Sequence, residues 1–201
     1  MKTSFIYRNP YIYNLLMRLL YRKNYKARFK SVSEEIPKGA EVLDVCCGDC
    51  KLYTLALKGK VSYVGVDINP SFIENARKLS IKVLSLDVRN DALPYSDYVV
   101  MQASLYQFIP QHKQIVDKLL SSASRKVIIC EPVRNLSDSN NPVISFIARY
   151  LANPGTGHKL DRFTEETFCS FFRDNYNEII EKFKFIPGKR ELMVILNAGK
   201  E

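Results

Sequence analysis

The stretch from residue 41 to residue 52, Glu-Val-Leu-Asp-Val-Cys-Cys-Gly-Asp-Cys-Lys-Leu, constrains the fold more than any other. Residues 42–45 are a short apolar run of the kind that makes a buried strand, with Asp44 near its end. Cys46, Cys47, Gly48, Asp49 and Cys50 follow as a compact turn of small residues, and Leu52, Leu55 and Ala56 begin a helix at once. Strand, tight turn and helix form the first unit of a nucleotide-binding α/β sheet. Such a turn needs small residues because a ligand passes close over its backbone, and the free N–H groups of the helix start face that ligand.

Two further strands end in acids. Residues 61–67 read as a strand closing on Asp67, and residues 82–87 as a strand closing on Asp87. An acidic residue about 20 positions after the turn suits a pair of ribose hydroxyls, since one carboxylate accepts both O–H groups. Three carboxylates at three successive strand ends would repel a pyrophosphate. They would tolerate a ligand that has no phosphates and carries a cation.

The run Val42-Leu43-Asp44-Val45-Cys46-Cys47-Gly48-Asp49-Cys50, with Val64-Gly65-Val66-Asp67, resembles the class I S-adenosylmethionine-dependent methyltransferases, in the Cys-Cys-Gly form of the ubiquinone/menaquinone methyltransferase-like branch. Asp44 and Gly48 match the motif Asp-x-Gly-x-Gly-x-Gly, while Cys46 and Cys50 stand at its first and third glycines. A thiol at the third glycine is expected to push the helix outward. The resemblance implies S-adenosylmethionine as cofactor. Asp44 and the turn Cys46, Cys47 and Gly48 would hold its amino-acid end and Asp67 its ribose, with Ile68 beside it. Asp87 and Val88 would meet the adenine, and Gln102 and Ala103 would line the sulfonium. Tyr25, with Tyr7 and Tyr11, would help to close the pocket. For each Asp, the competing reading is a strand-end residue that caps the next turn.

The rest of the chain keeps the α/β rhythm. Residues 10–30 read as an amphipathic helix, and Pro37-Lys38-Gly39 as the turn into the first strand. A helix over 72–79, a strand over 97–102, a helix over 111–124 and a strand over 126–131 follow. After Pro132 come a helix over 142–151, a glycine-containing loop over 153–158, and a helix from a Thr164 cap to about residue 173. Strands over 178–185 and 191–197 form a closing hairpin. The expected fold is α/β, a Rossmann-like doubly wound seven-stranded sheet, mostly parallel with one antiparallel strand near the C-terminus. The whole chain is expected to be one methyltransferase domain, with residues 1–35 as a helical lid.

Charge and cysteines narrow the function. The net charge of +9 belongs to residues 1–30, which hold eight Lys or Arg and no acid, whereas the remainder holds 22 basic and 21 acidic residues. That argues against a chain-wide nucleic-acid surface. RNA or a membrane surface could meet only the basic N-terminal helix. Five cysteines, three of them in one turn, point to a reducing, cytoplasmic setting rather than a disulfide framework. Cys46, Cys47 and Cys50 lack a fourth ligand, as Cys130 and Cys169 stand isolated, so no metal is expected.

Methyl transfer from a sulfonium needs mostly alignment, and an O–H or C–H acceptor needs a base as well. Tyr106, Glu131 and His158 are the candidates, and His112 reads as an exposed helix-start residue. The acceptor is expected to be a small molecule, since no inserted domain offers a macromolecular surface. A non-catalytic cofactor-binding module would share these features. It would bind the cofactor without turnover.

Overall fold

The computed structural model describes residues 24–134 and 162–199. His158, Tyr7, Tyr11, the helix expected over 142–151 and the loop over 153–158 lie outside the described residues.

Seven strands form one sheet: β1 (Glu41–Val45), β2 (Ser62–Asp67), β3 (Val83–Ser85), β4 (Ser96–Gln102), β5 (Ala123–Pro132), β6 (Ile180–Phe185) and β7 (Glu191–Asn197). Their order is β3-β2-β1-β4-β5-β7-β6. β1 to β5 pair in parallel, and β7 runs antiparallel to both β5 and β6. One strand is therefore reversed, as the sequence predicts. Strand order turns back between β1 and β4, and in open sheets a crevice opens there at the carboxyl ends.

Helices α1 (Tyr25–Ser33), α2 (Pro70–Lys78), α3 (His112–Ser121) and α4 (Glu165–Tyr176) cover the sheet. Each places its apolar residues on one side: Phe72, Ile73 and Ala76 on α2, Ile115, Val116 and Leu119 on α3, Phe168, Phe172 and Tyr176 on α4. The starts of α2 and α4 are capped by short polar side chains. Asn69 Oδ1 accepts from Ser71 N at 3.0 Å ahead of Pro70, and Thr164 and Thr167 cap each other's backbone at 3.1 and 2.9 Å. Two apolar cores result. Val42, Val100, Ile128 and Ile195 face α1, whereas Leu43, Val99, Val127 and Leu196 face α3 and α4. Among the described residues no helix is long and apolar enough to cross a membrane.

Several boundaries differ from expectation. β5 begins at Ala123, not at residue 126, because Ser122 ends α3 and Ser96 N donates to its carbonyl, so the strand starts pairing early. β3 stops at Ser85, short of Asp87, because Asp87 opens a turn closed by its own backbone N–H to Asp91 Oδ2 at 2.8 Å. β6 starts at Ile180, since residues 177–179 form a 3₁₀ turn. The helix after the first turn is wider than expected. Residues 53–57 are π-helical, with Lys58 N donating to Tyr53 O.

Gly65 on β2 has a packing reason. A Cβ there would lie 2.8 Å from Cys47 Sγ and 3.2 Å from both Tyr63 Oη and Val83 Cγ2. Gly65→Ala should therefore destabilise the protein by about 1–3 kcal/mol, as overpacking does. Urea unfolding checks it, and an unchanged midpoint would show that the Cys47 rotamer simply yields.

Candidate functional site

The turn after β1 is built on alternate left-handed residues. Cys46, Gly48 and Cys50 have φ of 57°, 54° and 56°. These are the three glycine positions of the motif, and the backbone keeps the glycine conformation although two positions carry thiols. A left-handed non-glycine residue costs about 1–2 kcal/mol, so surrounding structure must hold the turn. Asp67 supplies the hold: its Oδ2 accepts from Gly48 N and its Oδ1 from Asn69 N, both at 2.8 Å. Each oxygen keeps a second lone pair for a ligand hydroxyl. Burial, the largest influence, raises the pKa of Asp67 despite these backbone bonds.

The three cysteines diverge. Cys46 packs toward the α3–α4 core, while Cys47 and Cys50 belong to the α1 core, with their sulfurs 3.8 Å apart. Burial pushes the Cys46 thiol far up, and the Cys50 thiol and burial do the same to Cys47. Protonated thiols on opposite sides of a sheet do not form one coordination sphere. Cys50 is wholly buried and fills core volume where the motif has glycine.

Asp44 lies under the turn, 3% exposed, and Tyr63 Oη donates to its Oδ2 at 2.7 Å. Burial raises its pKa to about 7, against the pull of that hydrogen bond and with the help of Asp67 and Asp49. Tyr63 in turn stacks on Tyr53 at 4.6 Å. Sequence reading missed Tyr63, which alternation marks only as one more strand aromatic.

At the β3 end, Asp87 Oδ1 accepts from Arg89 N and Oδ2 from Asn90 Nδ2, each at 3.0 Å. Its carboxylate thus caps the local turn. Val88 is buried in the α3–α4 core, and Ile68 is 61% exposed at the end of β2. Past β4, Ala103 is also left-handed, at 52°, and its N–H donates to Cys130 O at 2.7 Å. Gln102 pairs with Cys130 across the β4–β5 ladder. Tyr25 is 6% exposed in the α1 core, with its ring edge on Phe29.

Glu131 is fully buried near the end of β5, and its Oε1 accepts from Ser104 N at 2.7 Å and Leu105 N at 2.6 Å. Its Oε2 has no hydrogen-bond partner among the described residues. Burial raises its pKa to about 8, although the two backbone bonds and Arg162 oppose this. Oε1 accepts both backbone bonds, so in the protonated carboxyl it is Oε2 that carries the proton. Leu105 and Tyr106, on the loop that Glu131 braces, belong to the core that Cys46 packs against. Tyr106, on the 3₁₀ turn Leu105–Phe108, is 7% exposed beneath the Arg162 guanidinium, 4.4 Å from its ring centroid. Arg162 was missed in the sequence, where nothing separates it from other loop arginines. His112 is half-buried against Phe163 and Phe171 rather than free in solvent, and burial lowers its pKa.

Solved structures share this architecture. A magnesium protoporphyrin IX methyltransferase from Synechocystis PCC 6803 with bound S-adenosylhomocysteine superposes with a TM-score of 0.66 at 14% identity, over 90% of this chain and 86% of that one. A SAM-dependent methyltransferase from Thermotoga maritima gives 0.67 at 15% identity, over 96% and 97%. An O-methyltransferase family 2 protein from Planctomyces limnophilus in complex with apigenin gives 0.65 at 16% identity, over 94% and 62%. The fold is that of the class I methyltransferases. No curated protein sequence matches the chain. The family model for methionine biosynthesis protein MetW matches residues 26–136, more than half of the sequence, and the chain belongs to that family.

Proposed function

We propose that the protein binds S-adenosylmethionine over the turn between β1 and the π-helical segment and transfers its methyl group to a small-molecule acceptor. The carrying observation is the alternate left-handed turn Cys46, Gly48 and Cys50, tied by its central N–H to Asp67. The site fits the cofactor. A Cβ built on Gly48 meets nothing within 4 Å, so the space over the turn is open. Burial and the charges of neighbouring acids raise the proton affinity of Asp44 and Asp67, and a bound cation relieves that. Three solved structures of this fold, two of them of one protein, hold S-adenosylhomocysteine, S-adenosylmethionine or apigenin.

When bound, the cofactor supplies a sulfonium methyl, whose S–C bond breaks with its electron pair left on sulfur as the new bond to the acceptor forms. The residues hold and orient. Asp44 and the turn take the ammonium end, and Asp67 accepts from the ribose hydroxyls through its free lone pairs. Ile68, Asp87 and Val88 border the adenine, Gln102 and Ala103 border the sulfonium, and Tyr25 supports the pocket from α1. At neutral pH Glu131 is largely protonated, so it fixes the β4 loop through Ser104 and Leu105 and is a poor base there. Tyr106 stands nearer to that role, with His158 as its alternative. The likeness to the ubiquinone/menaquinone branch rests on the Cys-Cys-Gly turn alone.

Asp67→Ala should weaken S-adenosylhomocysteine binding by about 1.5–3 kcal/mol, the range for hydrogen bonds to a charged group, with an added loss from the released turn. Titration calorimetry on both proteins measures it. Equal affinities would remove Asp67 from the ribose and take the main support from the proposal.

A further inference from the structure

We infer that Arg162 is the specificity-determining residue for the acceptor, pairing with a carboxylate, so that the substrate is a small organic acid; this rests on the methyltransferase reading above. Arg162 precedes α4, half-buried, with its guanidinium carbon over the Tyr106 ring at 4.4 Å from the centroid. Tyr106 follows directly on the β4 loop and belongs to the core that Cys46 of the turn packs against. The guanidinium thus stands on the same side of the sheet as Cys46, across the β4 loop from the turn.

Its charge is uncompensated among the described residues. Arg28, Arg89, Arg125 and Arg134 each meet a carboxylate within 4.0 Å, and Arg162 has no such contact. Glu131 lies within its electrostatic reach, but its Oε1 already serves Ser104 N and Leu105 N and its buried carboxyl is mostly neutral at pH 7. A guanidinium held over a ring face has shed part of its hydration and presents a planar fork of N–H donors. That arrangement suits a planar carboxylate. Phe163 is the next residue, packed edge-on to Phe168 and beside His112, so the neighbourhood also offers aromatic surface for an apolar body.

The test uses the full chain with saturating S-adenosylhomocysteine, titrated with benzoate and with benzamide, for wild type, Arg162→Gln and Arg162→Lys. Wild type should bind benzoate about tenfold or more tightly than benzamide, the margin of a charge-assisted hydrogen bond. Arg162→Gln should bind the two alike while keeping its affinity for S-adenosylhomocysteine, and Arg162→Lys should recover part of the preference. No preference in wild type overturns the inference, as does a preference that survives in Arg162→Gln. A fall in S-adenosylhomocysteine affinity in Arg162→Gln also overturns it, since Arg162 would then hold the cofactor's own carboxylate. If wild type binds no S-adenosylhomocysteine, the methyltransferase proposal fails instead. The acid and amide titrations without it still report on Arg162.

Discussion

Arg28→Met should destabilise the protein by about 3–5 kcal/mol, the loss expected when one partner of a buried ion pair is removed. Arg28 on α1 is 5% exposed and Glu191 on β7 is 1% exposed. Arg28 Nη2 lies 2.7 Å from Glu191 Oε1, and its Nε donates to Oε2 at 3.1 Å, a two-point contact. Without the guanidinium, Glu191 keeps a buried charge close to Glu131 and Cys130, both of which feel it. Urea unfolding of Arg28→Met, Glu191→Leu and the double variant measures the effect. The double variant should be less destabilised than the sum of the singles, because no lone buried charge remains. Single variants as stable as wild type would show that the pair holds nothing together. The same contact bears on the basic N-terminal segment. Tyr25 and Phe29 are core residues, so removing residues 1–30 should lower stability itself.

Glu131→Gln should flatten the fall of stability with pH. In the folded protein Glu131 titrates near pH 8, against an ordinary value of 4.5. Between those values the folded chain keeps a proton that the unfolded chain has released. Stability therefore falls as pH rises through this window, and the loss is complete above about 8. A glutamine keeps the shape, and its Oε1 still accepts from Ser104 and Leu105, but it has no proton to lose. The variant should match wild type closely at pH 5 and exceed it at pH 8.5 by on the order of a few kcal/mol. Asp44, raised to about 7, adds a similar slope at lower pH to both proteins and cancels in the comparison. Denaturant unfolding at pH 5, 7 and 8.5 gives the result. Parallel curves for the two proteins would mean that Glu131 is ionised in the fold.

The strand-turn-helix unit at residues 41–57, the acid at the end of β2 and the α/β alternation were legible because each depends on neighbours in sequence. Apolar runs mark buried parallel strands, and a strand end followed at once by small residues marks a ligand turn. The closing hairpin was legible for the same reason, as Pro187 and Gly188 interrupt two apolar runs. Boundaries were less so. β3 loses Asp87 to a turn, and β5 gains Ala123 from a helix, through pairing with partners that local propensity does not contain.

What the sequence determined by itself is the kind of sheet and the place of its first turn, since hydrophobic period and turn chemistry are local properties. Tertiary structure decided what each polar residue does there. Asp87 serves its own turn, Glu131 is a buried proton carrier that braces the β4 loop, and Arg28 is a core ion pair rather than part of a solvated basic face. It also set Arg162 on Tyr106, a meeting of residues 56 positions apart. Proton affinity and charge pairing depend on burial and on partners distant in the chain, and these exist only once the sheet has brought its strand ends together.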